Sequence, residues 1–355
     1  MDLSTVKEKL ATEKKIIKSD ILFLLDYYRA NSENRKEIYS LADTVRKKYA
    51  GDKIYIRGII EFSNYCKRNC DYCGIRNKNF EVERYRLTDE EILEVCGLAE
   101  KNMIHTVVLQ SGEDSFYTKE KFGTLLKKIK ENNNIAVTVS AGERDFDTYK
   151  FWYDCGMDRY LIRFETANEK NFKEIHPDDD YKNRIECILN LKKIGVQTGS
   201  GFMIGLPGET DSDIADNILF CRGLDLDMIG VGPFIPHLST PLGKFKLAYD
   251  IDFYTLIISL LRLANPDCHI PATTAFDAIA KDGRQLCLQR GANIFMPNIT
   301  PKKYRKNYLL YPDKPCVDEG ADDCLNCVKY RILSIGREIG IGKGDSLKNY
   351  RRCVK

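Results

Sequence analysis

The sequence predicts a closed barrel of alternating strands and helices, the (β/α)₈ TIM-type architecture of the α/β class, with an N-terminal helical cap and a C-terminal Cys-containing tail. Three observations predict it. Eight short apolar runs of strand length recur between residues 54 and 298, each followed by a longer helix-like segment. Several of those segments begin with Thr, Asp or Asn and end at Gly, as helix caps require. The ends of the runs are polar, which suits a barrel whose chemistry sits at the C-terminal ends of its strands. An open doubly wound sheet is the alternative, but eight parallel units can close without leaving an edge.

The elements follow in order. Residues 1–53 read as an amphipathic helical cap, with Ile16, Ile17, Ile21, Leu22, Leu24 and Leu25 near helical spacing. The expected strands span 54–63, 105–112, 136–142, 159–166, 196–207, 228–236, 269–276 and 292–298, so the barrel domain is placed at 54–300. Among the polar strand ends are Gln110-Ser111-Gly112-Glu113-Asp114, Ser140-Ala141-Gly142-Glu143 and Arg163-Phe164-Glu165-Thr166. From residue 301 to 355 the alternation gives way to a tail rich in Lys, Tyr, Asp and Cys.

Composition narrows the function classes. The 355 residues are 43% hydrophobic and 30% charged, enough for a large core, and the formal net charge is only +3. Basic residues are spread along the whole chain, so no nucleic-acid surface is expected. No secretory leader reads in MDLSTVKEKLATEKK, and no apolar stretch approaches the roughly 20 residues of a membrane span. Thirteen cysteines, an odd number, in such a chain point to a reducing cytoplasm and to metal or catalytic thiols over disulfides.

The sharpest motif follows the first strand: Cys66-Lys67-Arg68-Asn69-Cys70-Asp71-Tyr72-Cys73-Gly74. Three thiolates in one tight loop leave a tetrahedral zinc site one ligand short, and no His occurs before His105. Thiolates suit iron–sulfur clusters, and a 4Fe–4S cube held by three cysteines leaves one iron open for a chelating ligand.

The CxxxCxxC spacing with Tyr72 before the last Cys resembles the radical S-adenosylmethionine superfamily. The resemblance implies that Cys66, Cys70 and Cys73 hold a 4Fe–4S cluster whose open iron binds the amino group and carboxylate of S-adenosylmethionine. Reductive cleavage then yields a 5′-deoxyadenosyl radical. It further implies that Ser111, Gly112 and Glu113 receive the amino group, and that Glu165 and Arg184 hold the ribose or amino group and the carboxylate. Tyr72 and Ser140 are counted with this cofactor site. Met203, in the stretch from Gly201 to Glu209, would line the adenine. Two departures stand out: Ser111 occupies a position that is Gly in the family pattern, and Phe164 one that is His in many members.

Within the superfamily the match extends over residues 54 to 330. The stretches LQSGED, RFETAN, MIGLPGET, GPFIPH, IPATTA and GANIFMPNITPKKYRKNYLLYP are similar, in order, to the FeFe-hydrogenase H-cluster maturases. This implies an iron–cysteine substrate carrying carbon monoxide and cyanide, an electron donor, and other hydrogenase maturases as partners. Arg159, Thr273, Thr274, Tyr304 and Arg305 are the residues expected to line its cavity. Cys316, Cys324 and Cys327 form a candidate second iron–sulfur site.

Other features read as structural. Cys96, Cys155, Cys187, Cys221 and Cys287 fall on helices and behave as small buried hydrophobes. His105, His176 and His269 are expected in structural roles, and His237 is the candidate to face the cavity. Three rival functions share the motif. A biotin-synthase-like enzyme would need cysteines on the strands, and none of the eight carries one. A methylornithine-synthase-like mutase and a non-catalytic cluster carrier are the others.

Overall fold

The computed structural model describes residues 2–318 and 321–348, with the side chains of 321–323 excepted. Eight strand segments form a parallel ring: β1 (Gly58–Ser63), β2 (Thr106–Ser111), β3 (Ala136–Ser140), β4 (Arg159–Leu161), β5 (Gln197–Ser200), β6 (Met228–Ile229), β7 (Pro271–Ala272) and β8 (Ile294–Phe295). Strands β1 to β6 pair in sequence order, and β7 pairs with β8. Two isolated parallel bridges complete the circuit, Met228 with His269 and Ile59 with Asn298. Backbone bonds carry both closures: Ile229 N–H reaches His269 O at 2.9 Å, and Ile299 N–H reaches Ile59 O at 2.8 Å. The expected barrel therefore forms, with shorter strands than the apolar runs suggest. The run 54–63 is split at Arg57 into Lys53–Ile56, which pairs with β8, and β1. Residues 275 and 276 begin a helix and do not extend β7.

The cap consists of α1 (Leu3–Ala11), α2 (Lys18–Ala30) and α3 (Ser32–Ala50). The barrel helices are α4 (Asp89–Lys101), α5 (Lys119–Asn132), α6 (Phe146–Asp154), α7 (Glu169–Ile175), α8 (Tyr181–Ile194), α9 (Asp211–Gly223) and α10 (Ile251–Ala264). Thr88 and Thr210 open α4 and α9 with reciprocal capping boxes, each closing two backbone donors. The cap packs α2 on α9 and α3 on α10. That explains why α10 is apolar nearly all round: its outer face lies under α3, and from Phe253 to Ala264 every residue is buried. No helix among the described residues is long and apolar enough to cross a membrane.

The C-terminal segment closes the N-terminal end of the barrel. Glu338–Ile339 pairs with Lys53–Ile54, and the chain then crosses the strand starts. The carbonyl of Lys343 accepts from Thr106 Oγ1 at 2.8 Å and from Arg159 Nη2 at 2.9 Å. Gly344 O accepts from Arg57, and Asp345 O lies 2.8 Å from His269 Nε2. This seal leaves the opposite end, where the strands finish, for the cysteine loop.

Candidate active site

Cys66, Cys70 and Cys73 lie in the loop that leaves β1, and all three are half-buried, free thiols. The loop is held against the end of β2. Lys67 N–H donates to Glu113 O at 3.0 Å, and Gly112 N–H to Ser63 O at 3.1 Å. A Cβ on Gly112 would lie 2.3 Å from Tyr65 O and 2.7 Å from Cys66 Cβ, so only glycine admits this approach. Gly74 is similarly constrained, its absent Cβ facing Leu309 O at 2.0 Å and the His237 ring at 2.8 Å. His237 thus abuts the cysteine loop at the rim.

The donor set fits a soft cationic cluster. Burial, then Cys73 and Cys66, push the Cys70 thiol well up, while burial and then Cys66 push Cys73 up to about 12. Burial also raises Cys66, opposed by backbone N–H groups of Arg68 and Glu113 that point at its sulfur from 3.4 and 3.3 Å. Three thiols that oppose one another's ionisation are relieved by a shared cation, and N–H donors already aimed at sulfur favour the thiolate.

Behind the loop lies a buried charge network that the motif spacing does not reveal. Arg68 Nε reaches Glu113 Oε1 at 3.2 Å, and its Nη2 reaches Glu143 Oε2 at 2.9 Å and Asp179 Oδ1 at 3.4 Å. Arg184 Nε donates to Glu143 Oε1 at 2.6 Å, Nη1 to Arg163 O at 2.7 Å and Nη2 to Asp179 Oδ2 at 2.5 Å. Glu113 also pairs with Lys67 at 2.8 Å and accepts Glu143 N–H at 3.1 Å. Desolvation is the largest influence on Glu113 and acts upward, but Lys67 and Arg68 outweigh it and lower the carboxyl. Burial pushes Asp179 up to about 6, with Arg184 opposing and Glu143 adding to the rise.

Glu165, past the end of β4, adopts φ +64°, a left-handed conformation that costs a non-glycine residue about 1–3 kcal/mol. Its carboxylate pairs with Arg163 Nη2 at 2.8 Å, and Arg163 Nε is buried without a hydrogen-bond partner among the described residues. Met203 belongs to a small apolar cluster, apart from the main core, with Ile175, Leu206 and Phe234; Tyr72 packs against it. Ser111 Oγ turns back to Gly112 O at 2.7 Å, and Ser140 ends β3 beside Gln110.

The structure brings most of the expected cofactor residues to one end of the barrel, on β1 to β5 and the loops after them. The expected cavity residues separate. Thr273 and Thr274 follow β7, bonded to Val231 O and to Tyr311 Oη. Arg159 starts β4 and so lies at the sealed end, held by Gln197, Thr106, Lys343 O and Asp345. Tyr304 stacks on Tyr85 and bonds Glu91 on α4, while Arg305 ties Thr300 O to Cys316 O. Sequence reasoning missed Arg68, Arg163, Glu143, Asp179 and His176; only Arg163 and Glu143 carried a signal, in the polar strand ends.

Glu209, closing the stretch that holds Met203, titrates in a measurable way. Burial pushes its carboxyl up to about 8, aided by Asp213 and Asp211 and opposed by Gly205 N–H. The folded chain then holds a proton that the unfolded chain lacks between about pH 4.5 and 8, so this contribution to stability is complete below the window and lost as pH rises through it. The melting temperature should fall between about pH 4.5 and 8, and Glu209→Gln should flatten that fall; an unchanged slope would place the charge elsewhere.

Comparison with known proteins agrees with this geometry. The model of the radical SAM superfamily matches residues 60–221. The FeFe hydrogenase maturase subunit HydE of Thermotoga maritima is 46% identical over 85% of this chain and 86% of its own length. The 3-methylornithine synthase of Methanosarcina acetivorans is 30% identical over 95% of this chain and 94% of its own. A crystal structure of methylornithine synthase (PylB) superposes with a TM-score of 0.83 at 26% identity, covering 98% of this chain and 99% of that one. A fold, a cysteine loop and a relative matched over most of both lengths agree: this chain belongs to the HydE hydrogenase-maturase family of radical S-adenosylmethionine enzymes, a superfamily that works with a 4Fe–4S cluster and S-adenosylmethionine.

Proposed function

We propose that the chain reductively cleaves S-adenosylmethionine and directs the radical chemistry at an iron–cysteine complex carrying carbon monoxide and cyanide, in assembly of the two-iron centre of an FeFe hydrogenase. One observation carries the reading: the three-cysteine loop is backed, at the mouth of the barrel, by the buried network of Arg68, Glu113, Glu143, Asp179 and Arg184. The cluster, when bound, supplies the electron for the cleavage. Cys66, Cys70 and Cys73 would hold it and leave one iron open. Arg184 has five N–H donors, of which three are engaged among the described residues, which leaves two to meet the carboxylate of S-adenosylmethionine. Ser111, Gly112 and Glu113 would meet the amino group. Glu165, Ser140, Tyr72 and Met203 would flank the ribose and adenine.

Thr273 and Thr274 are the proposed cavity residues at the open end, whereas Arg159 is bound into the seal at the other end. An electron donor and other maturases complete the assignment. Cys316 and Cys324 are the nucleus of a proposed second cluster: a hydrogen bond between them, and then burial, push the Cys324 thiol far up. Cys327, the third candidate, is exposed. Among the described residues no three His, Cys, Asp or Glu side chains stand ready-made at metal-holding distance, at either cysteine set.

The test is anaerobic. Reconstituted protein given dithionite and S-adenosylmethionine should form 5′-deoxyadenosine, and Cys70→Ala should form none. Equal product from the variant would remove the catalytic reading. A parallel arm with lysine addresses the mutase reading that the methylornithine synthase likeness favours. Methylornithine there would overturn the maturase assignment and leave the cleavage chemistry standing.

A further inference from the structure

The turn that ends α7, Ile175-His176-Pro177-Asp178-Asp179, is bonded to four members of the cysteine loop. Arg68 Nη1 donates to Asp178 O at 2.7 Å, and its Nη2 faces Asp179 at 3.4 Å. Asn69 gives its N–H and its side-chain amide to the Asp178 carboxylate at 3.2 and 3.1 Å. Asp71 N–H donates to Ile175 O at 2.9 Å. Tyr72 Oη lies 3.1 Å from His176 Nε2.

The last contact has a defined polarity. His176 Nδ1 lies 3.3 Å from Phe172 O, and a carbonyl only accepts, so Nδ1 carries the hydrogen. Nε2 is then a lone pair, and the Tyr72 hydroxyl is the donor. Burial, and then Arg184, keep the imidazole neutral by lowering its pKa well below the usual range. The ring cannot swing freely: it stacks on Phe172 at 4.1 Å between centroids and meets Tyr72 edge-on at 5.4 Å. Tyr72 also packs against the apolar cluster of Met203, Ile175, Leu206 and Phe234.

We infer that His176 is a positioning residue: it fixes the Tyr72 ring, between two of the cluster cysteines, against the apolar surface on which the adenine of S-adenosylmethionine rests. This rests on the site reading above and adds the group that orients it. His176 sits on a different strand–helix unit from the cysteines, at the end of the helix that follows β4, so its bond sets how the loop after β1 and the turn after α7 face each other.

Two variants isolate the bond. Tyr72→Phe keeps the ring and removes the hydroxyl. His176→Phe keeps the stack on Phe172 and removes Nε2. On cluster-loaded protein, S-adenosylmethionine is titrated and followed by the change it makes in the electron paramagnetic resonance spectrum of the reduced cluster. Each variant should weaken binding about three- to tenfold, the range of one net hydrogen bond. The double variant should bind no worse than either single one, since all three lack the same contact. Unchanged affinity in Tyr72→Phe, or losses that multiply in the double variant, would overturn the inference. If His176→Phe fails to take up the cluster, Tyr72→Phe alone decides, because it deletes one oxygen and nothing else. Absence of any spectral change in the wild type would instead strike at the site reading, and the inference would fall with it.

Discussion

Replacing Arg184 by Ala should destabilise the protein by about 3–5 kcal/mol, the cost of leaving buried charge without its partner. Its guanidinium is less than one-tenth exposed, and so are the carboxylates it joins, Glu143 and Asp179. With Arg184 gone, these two acids share only Arg68, whose Nη2 would serve both. The loss should depend on pH with a definite sign. Asp179 is held at about 6, above its ordinary 3.8, with Arg184 as the strongest influence holding it down. Removing the arginine raises it further. A raised carboxyl stabilises the fold while protonated and ceases to as pH rises through its folded pKa. The deficit of Arg184→Ala should therefore be smaller near pH 5 than near pH 8 in denaturant titrations. A deficit under about 1 kcal/mol at pH 8, or one that grows on acidification, would show that the network is open to water and worth no more than a surface pair.

That network also marks where the sequence stops being legible. The barrel was readable because each strand–helix unit writes its period locally, and the cysteine loop because its spacing fits within eight residues. Arg68 and Asp179 are 111 positions apart, and nothing in either neighbourhood names the other. His176 is expected in a structural role, and Phe172, four residues before it, does stack on it; its second partner, Tyr72, is 104 positions away. Arg159 teaches a different lesson. The resemblance put it in the cavity, but it is the first residue of its strand, and in a parallel barrel that places it at the end opposite to the strand termini. Arg163, four positions on and past the strand, reaches the open end. The closure of the ring was the least visible feature, since it rests on two single bridges and not on any long apolar run.

Replacing Lys314 by Ala should cost a similar amount, about 3–5 kcal/mol, and should loosen the cover of the barrel mouth. Glu61 points inward near the end of β1 and is 3% exposed. Lys314 reaches down to its Oε1, also donating to Tyr308 O at 2.9 Å, while Asn298 Nδ2 takes the other carboxylate oxygen at 2.9 Å. The segment that carries Lys314 has few other anchors over the site. Leu310 O accepts Gly74 N–H, Asn307 O accepts from Asn64 Nδ2, and Tyr311 Oη meets Thr274 Oγ1 at 2.7 Å. Without the lysine, Glu61 is left as a buried charge that has lost its cation, and the segment loses its deepest attachment. Hydrogen exchange should then speed up at Gly74 and across residues 307–316, with the strands β2 to β5 unaffected. The double variant Glu61→Gln with Lys314→Met should recover most of the stability, because no unpaired charge remains. If Lys314→Ala is as stable as the wild type, or if the double variant is as weak as the single one, then the pair does not hold this segment down, and the cover of the cysteine loop must be kept in place by the bonds at Gly74, Asn307 and Tyr311.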